Sequence, residues 1–141
     1  MIRAVICDDE DAALKIITYS IENQGIPIEI VGTASDGKEA LALIKKENPN
    51  LVFLDIEMPG MNGFDVVEKL NAVNCKVIII TAYSTFSYAQ RALRLGVSDI
   101  IEKPIDTDTL KEAIQRAIGW EFSGNEALNK ALFYIHTHYW E

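Results

Sequence analysis

The chain of 141 residues reads as an α/β protein, a doubly wound sheet of five parallel strands with a helix after each. Three observations predict it. Short, nearly continuous apolar runs recur along the chain, as strands buried on both faces require. Between them apolar residues return every three or four positions, the period of a helix packed on one side. The two patterns alternate five times without interruption, the signature of strand–helix units in a parallel sheet.

Taken in order, Ile2 to Cys7 is the first strand, and Leu14, Ile17 and Ile21 mark one face of the helix behind it. Gly25 ends that helix, as a left-handed cap does. The run "IEIVGTAS" is the second strand, and Asp36 with Glu39 forms a capping-box-like start to a helix carrying Leu41 and Ile44. Leu51 to Leu54 is a third, fully apolar strand, with Phe64, Val67 and Leu70 at helical spacing beyond it. "KVIIIT" is the fourth, and a helix from about Ser84 to Leu95 follows, stopping at Gly96. "DIIE" is the fifth. A helix beginning near Asp106 then carries Leu110, Ala113, Ile114 and Ala117.

The bulk properties narrow the function. An apolar fraction of 49% suffices for a packed core, and a formal net charge of −8 argues against wrapping nucleic acid or an anionic membrane. No apolar run approaches the roughly 20 residues that span a bilayer. The opening "MIRAVICDDE" lacks a signal peptide's apolar stretch and cleavage site, so a cytoplasmic location is expected. Cys7 and Cys75 have no partner pattern for zinc and read as small buried or half-buried hydrophobes.

In open α/β sheets ligands bind at the carboxyl ends of the strands, near the point where strand order reverses. Polar residues gather at those ends. The first strand ends in Asp8-Asp9, the third in Asp55, the fourth in Thr81, and the fifth just before Lys103. Singly, each has an ordinary explanation as a helix start, a turn or a solvated charge. Jointly they place three carboxylates, a hydroxyl and an ammonium on one edge. Converging carboxylates repel and stay ionised only around a cation. Oxygen donors without His or Cys select a hard divalent ion, Mg²⁺ above others. Metal, lysine and hydroxyl together suit a phosphoryl group, with a carboxylate as nucleophile. Met58 and Met61, with no thiolate or imidazole nearby, read as loop packing; Pro59 and Gly60 set the turn, and Gly63 lets the next helix begin close by.

The ordered motifs "DD", "DIEMPGMNG", "TAY" and "KP" resemble the response-regulator receiver domain of two-component signalling over residues 1–119. The resemblance implies a flavodoxin-like (βα)5 fold with strand order 2-1-3-4-5, and a signalling switch, at most slowly self-dephosphorylating, in place of a turnover enzyme. It implies that Asp55 accepts a phosphoryl group from a sensor histidine kinase. Asp9 and Asp55 would bind Mg²⁺ directly, Glu57 through its backbone carbonyl, and Asp8 largely through water. Lys103 would pair with the phosphoryl group, Thr81 would swing toward it, and Lys103-Pro104 would be cis. At the strand-five position where many receivers carry an aromatic switch, this chain has Ile100, which shifts the expected change toward the fourth helix. There Phe86, Tyr88, Gln90 and Arg94 are candidate partner-facing groups, although Phe86 and Tyr88 could equally cap the core. A haloacid-dehalogenase-like phosphohydrolase uses similar residues, but its nucleophile's strand comes first and its acidic pair last, the reverse of this order. A pseudo-receiver serving only as a binding module would not need every one of these positions filled.

Residues 120–141 change in composition. Ser123, Gly124 and Asn125 resemble a short linker, and Leu128, Leu132, Ile135 and Tyr139 recur at helical spacing. His136 and His138, two apart, lie on different faces and make poor metal partners. "ALNKALFYIHTHYWE" resembles the opening helix of an AraC-type DNA-binding domain, which implies a transcription factor reaching DNA only through an output domain absent from this chain. The alternative is a single-domain receiver whose last helix dimerises or packs on itself, so a homodimer stays open.

Overall fold

A computed structural model describes residues 2–70, 75–82 and 85–119. The terminal helix expected from Leu128, Leu132, Ile135 and Tyr139, and the paired His136 and His138, lie outside the described residues. So does Ser84. Within them the chain runs β1 (Ile2–Cys7), α1 (Asp11–Asn23), β2 (Ile28–Ala34), α2 (Gly37–Glu47), β3 (Leu51–Leu54), α3 (Gly63–Glu68), β4 (Lys76–Thr81), α4 (Phe86–Arg94), β5 (Asp99–Glu102) and α5 (Thr107–Ile118). The strands form one sheet in the order β2-β1-β3-β4-β5, every neighbouring pair parallel. Both the alternation and the strand order match the sequence reading.

Strand side chains alternate between faces, so each central strand feeds two cores. Val5, Cys7, Val52, Leu54 and Ile79 join Ala40, Ile44, Phe64, Val67 and Ala92 beneath α2, α3 and α4. Ala4, Ile6, Leu51, Phe53, Ile78 and Ile80 join Ile17, Ile21, Leu110, Ala113 and Ile114 beneath α1 and α5. That two-sided burial is why β3 is apolar at all four positions. Helix starts are set locally. Asp36 accepts the Glu39 N–H at 2.8 Å, whereas the Glu39 carboxylate reaches back to the Ser35 N–H, one residue before the cap. Gly25 and Gly96 follow helix ends with φ of +64° and +78°, where a Cβ would be strained. Helix α4 begins at Phe86, capped by Thr85, and Phe86 is 78% exposed. It therefore does not cap the core. Among the described residues no helix is long and apolar enough to cross a membrane.

Candidate functional site

Strand register assembles the site. In the β1–β3 pair Cys7 stands opposite Leu54, so the next residues, Asp8 and Asp55, emerge side by side at the point where strand order reverses. The backbone carries this pairing past the strands: Asp55 N–H donates to the Cys7 carbonyl at 2.8 Å. On the other side Thr81 pairs with Glu102, and Lys103 N–H donates to the Thr81 carbonyl at 2.8 Å. Four strand ends thus bring Asp8, Asp55, Thr81 and Lys103 to one edge, as the sequence reading expects. Lys103-Pro104 is cis.

The two central acids are held by the same device. Asp8 Oδ1 accepts the N–H of Glu10 at 2.9 Å, and Asp55 Oδ1 accepts the N–H of Glu57 at 3.2 Å. Each is a carboxylate folded onto the backbone two residues on, a turn that Asp favours. Each acid thereby presents its second oxygen to one ammonium. Lys103 Nζ lies 2.9 Å from Asp8 Oδ2 and 3.3 Å from Asp55 Oδ2, and it also pairs with Glu10 Oε1. Asp8, Asp55 and Thr81 are buried; Asp9 and Glu10 are exposed.

Burial pushes the Asp55 carboxyl up to about 6, and the neighbouring charge of Asp8 adds to the rise, while Lys103 and the Glu57 N–H oppose it. Burial alone would lower the Lys103 ammonium. Its contacts with Glu10 and Asp8 and the charge of Asp55 outweigh that and hold it above its ordinary value. One lysine therefore faces more negative charge than it neutralises.

The donor set fits a hard cation. Asp8, Asp9 and Asp55 each offer an oxygen, all within 4.8 Å of one another. Asp8 Oδ2 is buried, and among the described residues its partner is the Lys103 ammonium 2.9 Å away, which shows that this oxygen accepts a cation. Glu57 is exposed, its side chain turned to Tyr88, whose hydroxyl donates to Glu57 Oε1 at 3.0 Å.

Sequence spacing does not reveal Glu10. It resembles one of several acids at a helix start, and it does occupy the cap position of α1, but its side chain caps nothing and goes to Lys103. The available signal is its position immediately after the acidic pair. The Tyr88–Glu57 bond links residues 31 apart and leaves no local trace.

The turn between β3 and α3 is built for close approach. Gly60 has φ +75°, and Asn62 and Asp65 form a reciprocal capping box at the start of α3. A Cβ on Gly63 would collide with the Asp55 carbonyl and lie 2.8 Å from Ile56 Cα. Gly63→Ala is therefore expected to cost about 1–3 kcal/mol in urea denaturation, because backbone must shift to admit the methyl. An unchanged midpoint would show that the turn yields freely. Met58 is buried and Met61 half-buried in the α2–α3 core, which accounts for both without a metal.

The acidic pocket thus lies at the carboxyl edge of a five-stranded doubly wound sheet, the arrangement that the receiver resemblance implies. The response regulator receiver domain family matches residues 4–115, and the chain belongs to it. Residues 4–115 are thus a receiver domain, a signalling switch of two-component systems. The transcriptional regulatory protein HptR of Staphylococcus aureus is 35% identical over 118 residues, which are 84% of this chain and 47% of HptR. The REC domain of AraT, a response regulator from Geobacillus stearothermophilus, is 36% identical with a TM-score of 0.75, covering 82% of this chain and 92% of that one. A CheX–CheY–BeF3–Mg complex from Borrelia burgdorferi is 28% identical at a TM-score of 0.74, covering 81% and 87%. The chain spans about half the length of the curated relatives it matches.

Proposed function

We propose that Asp55 is the phosphoacceptor, taking a phosphoryl group from a phosphohistidine on a sensor histidine kinase. The observation that carries this reading is the buried Asp55 carboxylate with one oxygen fixed by the Glu57 N–H and the other 3.3 Å from Lys103. An Asp55 oxygen attacks phosphorus; the P–N bond breaks as the acyl phosphate bond forms, and the imidazole leaves with the electron pair. Lys103 neutralises phosphoryl oxygens, and the Thr81 hydroxyl bonds one of them. Asp8, Asp9 and Asp55, with the Glu57 carbonyl, would hold Mg²⁺, which supplies charge neutralisation to the incoming group. The Mg²⁺ and BeF3 of the similar CheY complex support this assignment.

Acetyl phosphate with Mg²⁺ tests the reading: wild type is expected to gain one phosphoryl group by intact mass, and Asp55→Ala none. Equal labelling of the two would refute it. The receiver comprises residues 1–119 in this reading, and its output is transcriptional through an AraC-type DNA-binding domain. Support comes from the tail's resemblance and from HptR, a transcriptional regulatory protein of which the matched segment is 47%. Coding sequence past Glu141 decides it: a helix-turn-helix is expected, and a stop codon there would favour the single-domain alternative.

A further inference from the structure

Helix α4 is lightly held. Ala92 is its one fully buried residue, while Phe86 and Leu93, seven apart on one face, are 78% and 75% exposed. An element with few buried apolar contacts opens or shifts at low cost. On the α3 side it meets two residues that follow Asp55 in the chain. One is Glu57, whose Oε1 accepts the Tyr88 hydroxyl at 3.0 Å. The other is Phe64, buried directly behind Gly63. Tyr88 meets its ring edge-on, 5.3 Å between centroids at 89°. One helical turn later Arg91 lies 4.6 Å over the same ring and pairs with Glu68 at 3.0 Å.

A short path of contacts therefore joins the site to α4. Asp55 Oδ1 holds the Glu57 N–H, and the Glu57 side chain holds Tyr88. Ile100 is half-buried against the α2–α4 core and has no polar atom on its side chain to make such a bond. We propose that Tyr88 is a positioning residue, whose hydroxyl on Glu57 sets the pose of α4 according to what occupies Asp55. A group bound on the Asp55 oxygens competes for the bond that fixes Glu57, moves residues 55–57, and changes the grip on Tyr88. The exposed Phe86–Leu93 face moves with it. The proposal rests on Asp55 being the acceptor, and the coupling acts in both directions, since linkage is reciprocal.

The test is amide NMR and Mg²⁺ titration of the full chain with beryllofluoride as the phosphoryl mimic, comparing wild type with Tyr88→Phe. The variant keeps the ring on Phe64 and loses only the hydroxyl. In wild type, shifts are expected at Asp55 and Ile56 and also at Ala89, Ala92 and Leu93. In Tyr88→Phe the first group is expected to persist and the second to fall by about half or more, with Mg²⁺ affinity changed about 2- to 10-fold, the scale of one hydrogen bond. Glu57→Ala is expected to reduce the α4 shifts likewise, and the double variant to add nothing further. Full α4 shifts and unaltered Mg²⁺ affinity in Tyr88→Phe would overturn the relay while leaving the acceptor intact. Absence of any Asp55 and Ile56 shift in wild type would overturn the acceptor reading, and the relay with it.

Discussion

Lys103→Met is expected to destabilise the metal-free protein by about 3 kcal/mol at pH 7, because it strands buried carboxylates without their cation. The Lys103 side chain is 14% exposed, and its partners Asp8 and Asp55 are 2% and 4% exposed, so water cannot replace it. Two controls separate this from lost packing. Asp55, already pushed up to about 6, rises further without the lysine, so the deficit shrinks as pH falls through 6 and the carboxyl takes up a proton. Mg²⁺ also restores stability, since an ion bound only by the folded state at a hundredfold excess over its Kd contributes about 2.7 kcal/mol. A deficit unchanged by both pH and Mg²⁺ in thermal denaturation would show that the aliphatic stem, not the charge, is what matters.

Asp55→Asn is expected to move stability the other way and, if Asp55 is the acceptor as proposed, to abolish phosphorylation. In wild type Asp55 rises from 3.8 to about 6 on folding, chiefly through burial and then through the charge of Asp8. A raised carboxyl favours the folded state while protonated, and that advantage is lost as pH climbs through 6. Below 3.8 the acid is neutral in both states, and the two proteins should melt alike. Between those values the variant pulls ahead, and above 6 its lead levels off. The shift is worth at most about 3 kcal/mol, and about 1–2 kcal/mol once the pocket relaxes around the charge. Metal-free melting curves between pH 3 and 8 check it; an asparagine variant less stable than wild type at pH 8 would contradict the repulsion between Asp55 and Asp8. The Asp55 carboxylate is thus kept at some cost to the fold, as functional positions often are.

Much of this architecture is legible in the order of residues alone. Ten elements follow from two periodicities, because burial on both faces demands unbroken apolar strands such as Leu51 to Leu54, and one-sided packing demands the spacing of Leu110, Ala113 and Ile114. The residues at the carboxyl edge are legible because Asp8, Asp55 and Lys103 each follow a strand directly, and parallel strands bring such ends together. Side-chain partnerships across long separations are not. Glu10 resembles an ordinary helix-start acid, yet Lys103, 93 residues away, claims it. Phe86 and Tyr88 are both aromatic and two apart, yet one is exposed and the other bonds Glu57. Residues two apart on a helix face different ways, and their partners lie in another element, so spacing alone cannot assign them.

Cys7 closes β1 immediately before Asp8, fully buried, its thiol pushed up to about 12 by burial and by the negative charges of Glu39 and Asp8. At neutral pH it holds almost no thiolate, and alkylating reagents attack only the thiolate. Cys75 is half-buried and less protected. A pulse of iodoacetamide should therefore label Cys75 well before Cys7, and the slow labelling of Cys7 then measures how often β1 parts from its neighbours. The protein carries its own clock for the opening of the sheet, one residue from the pocket.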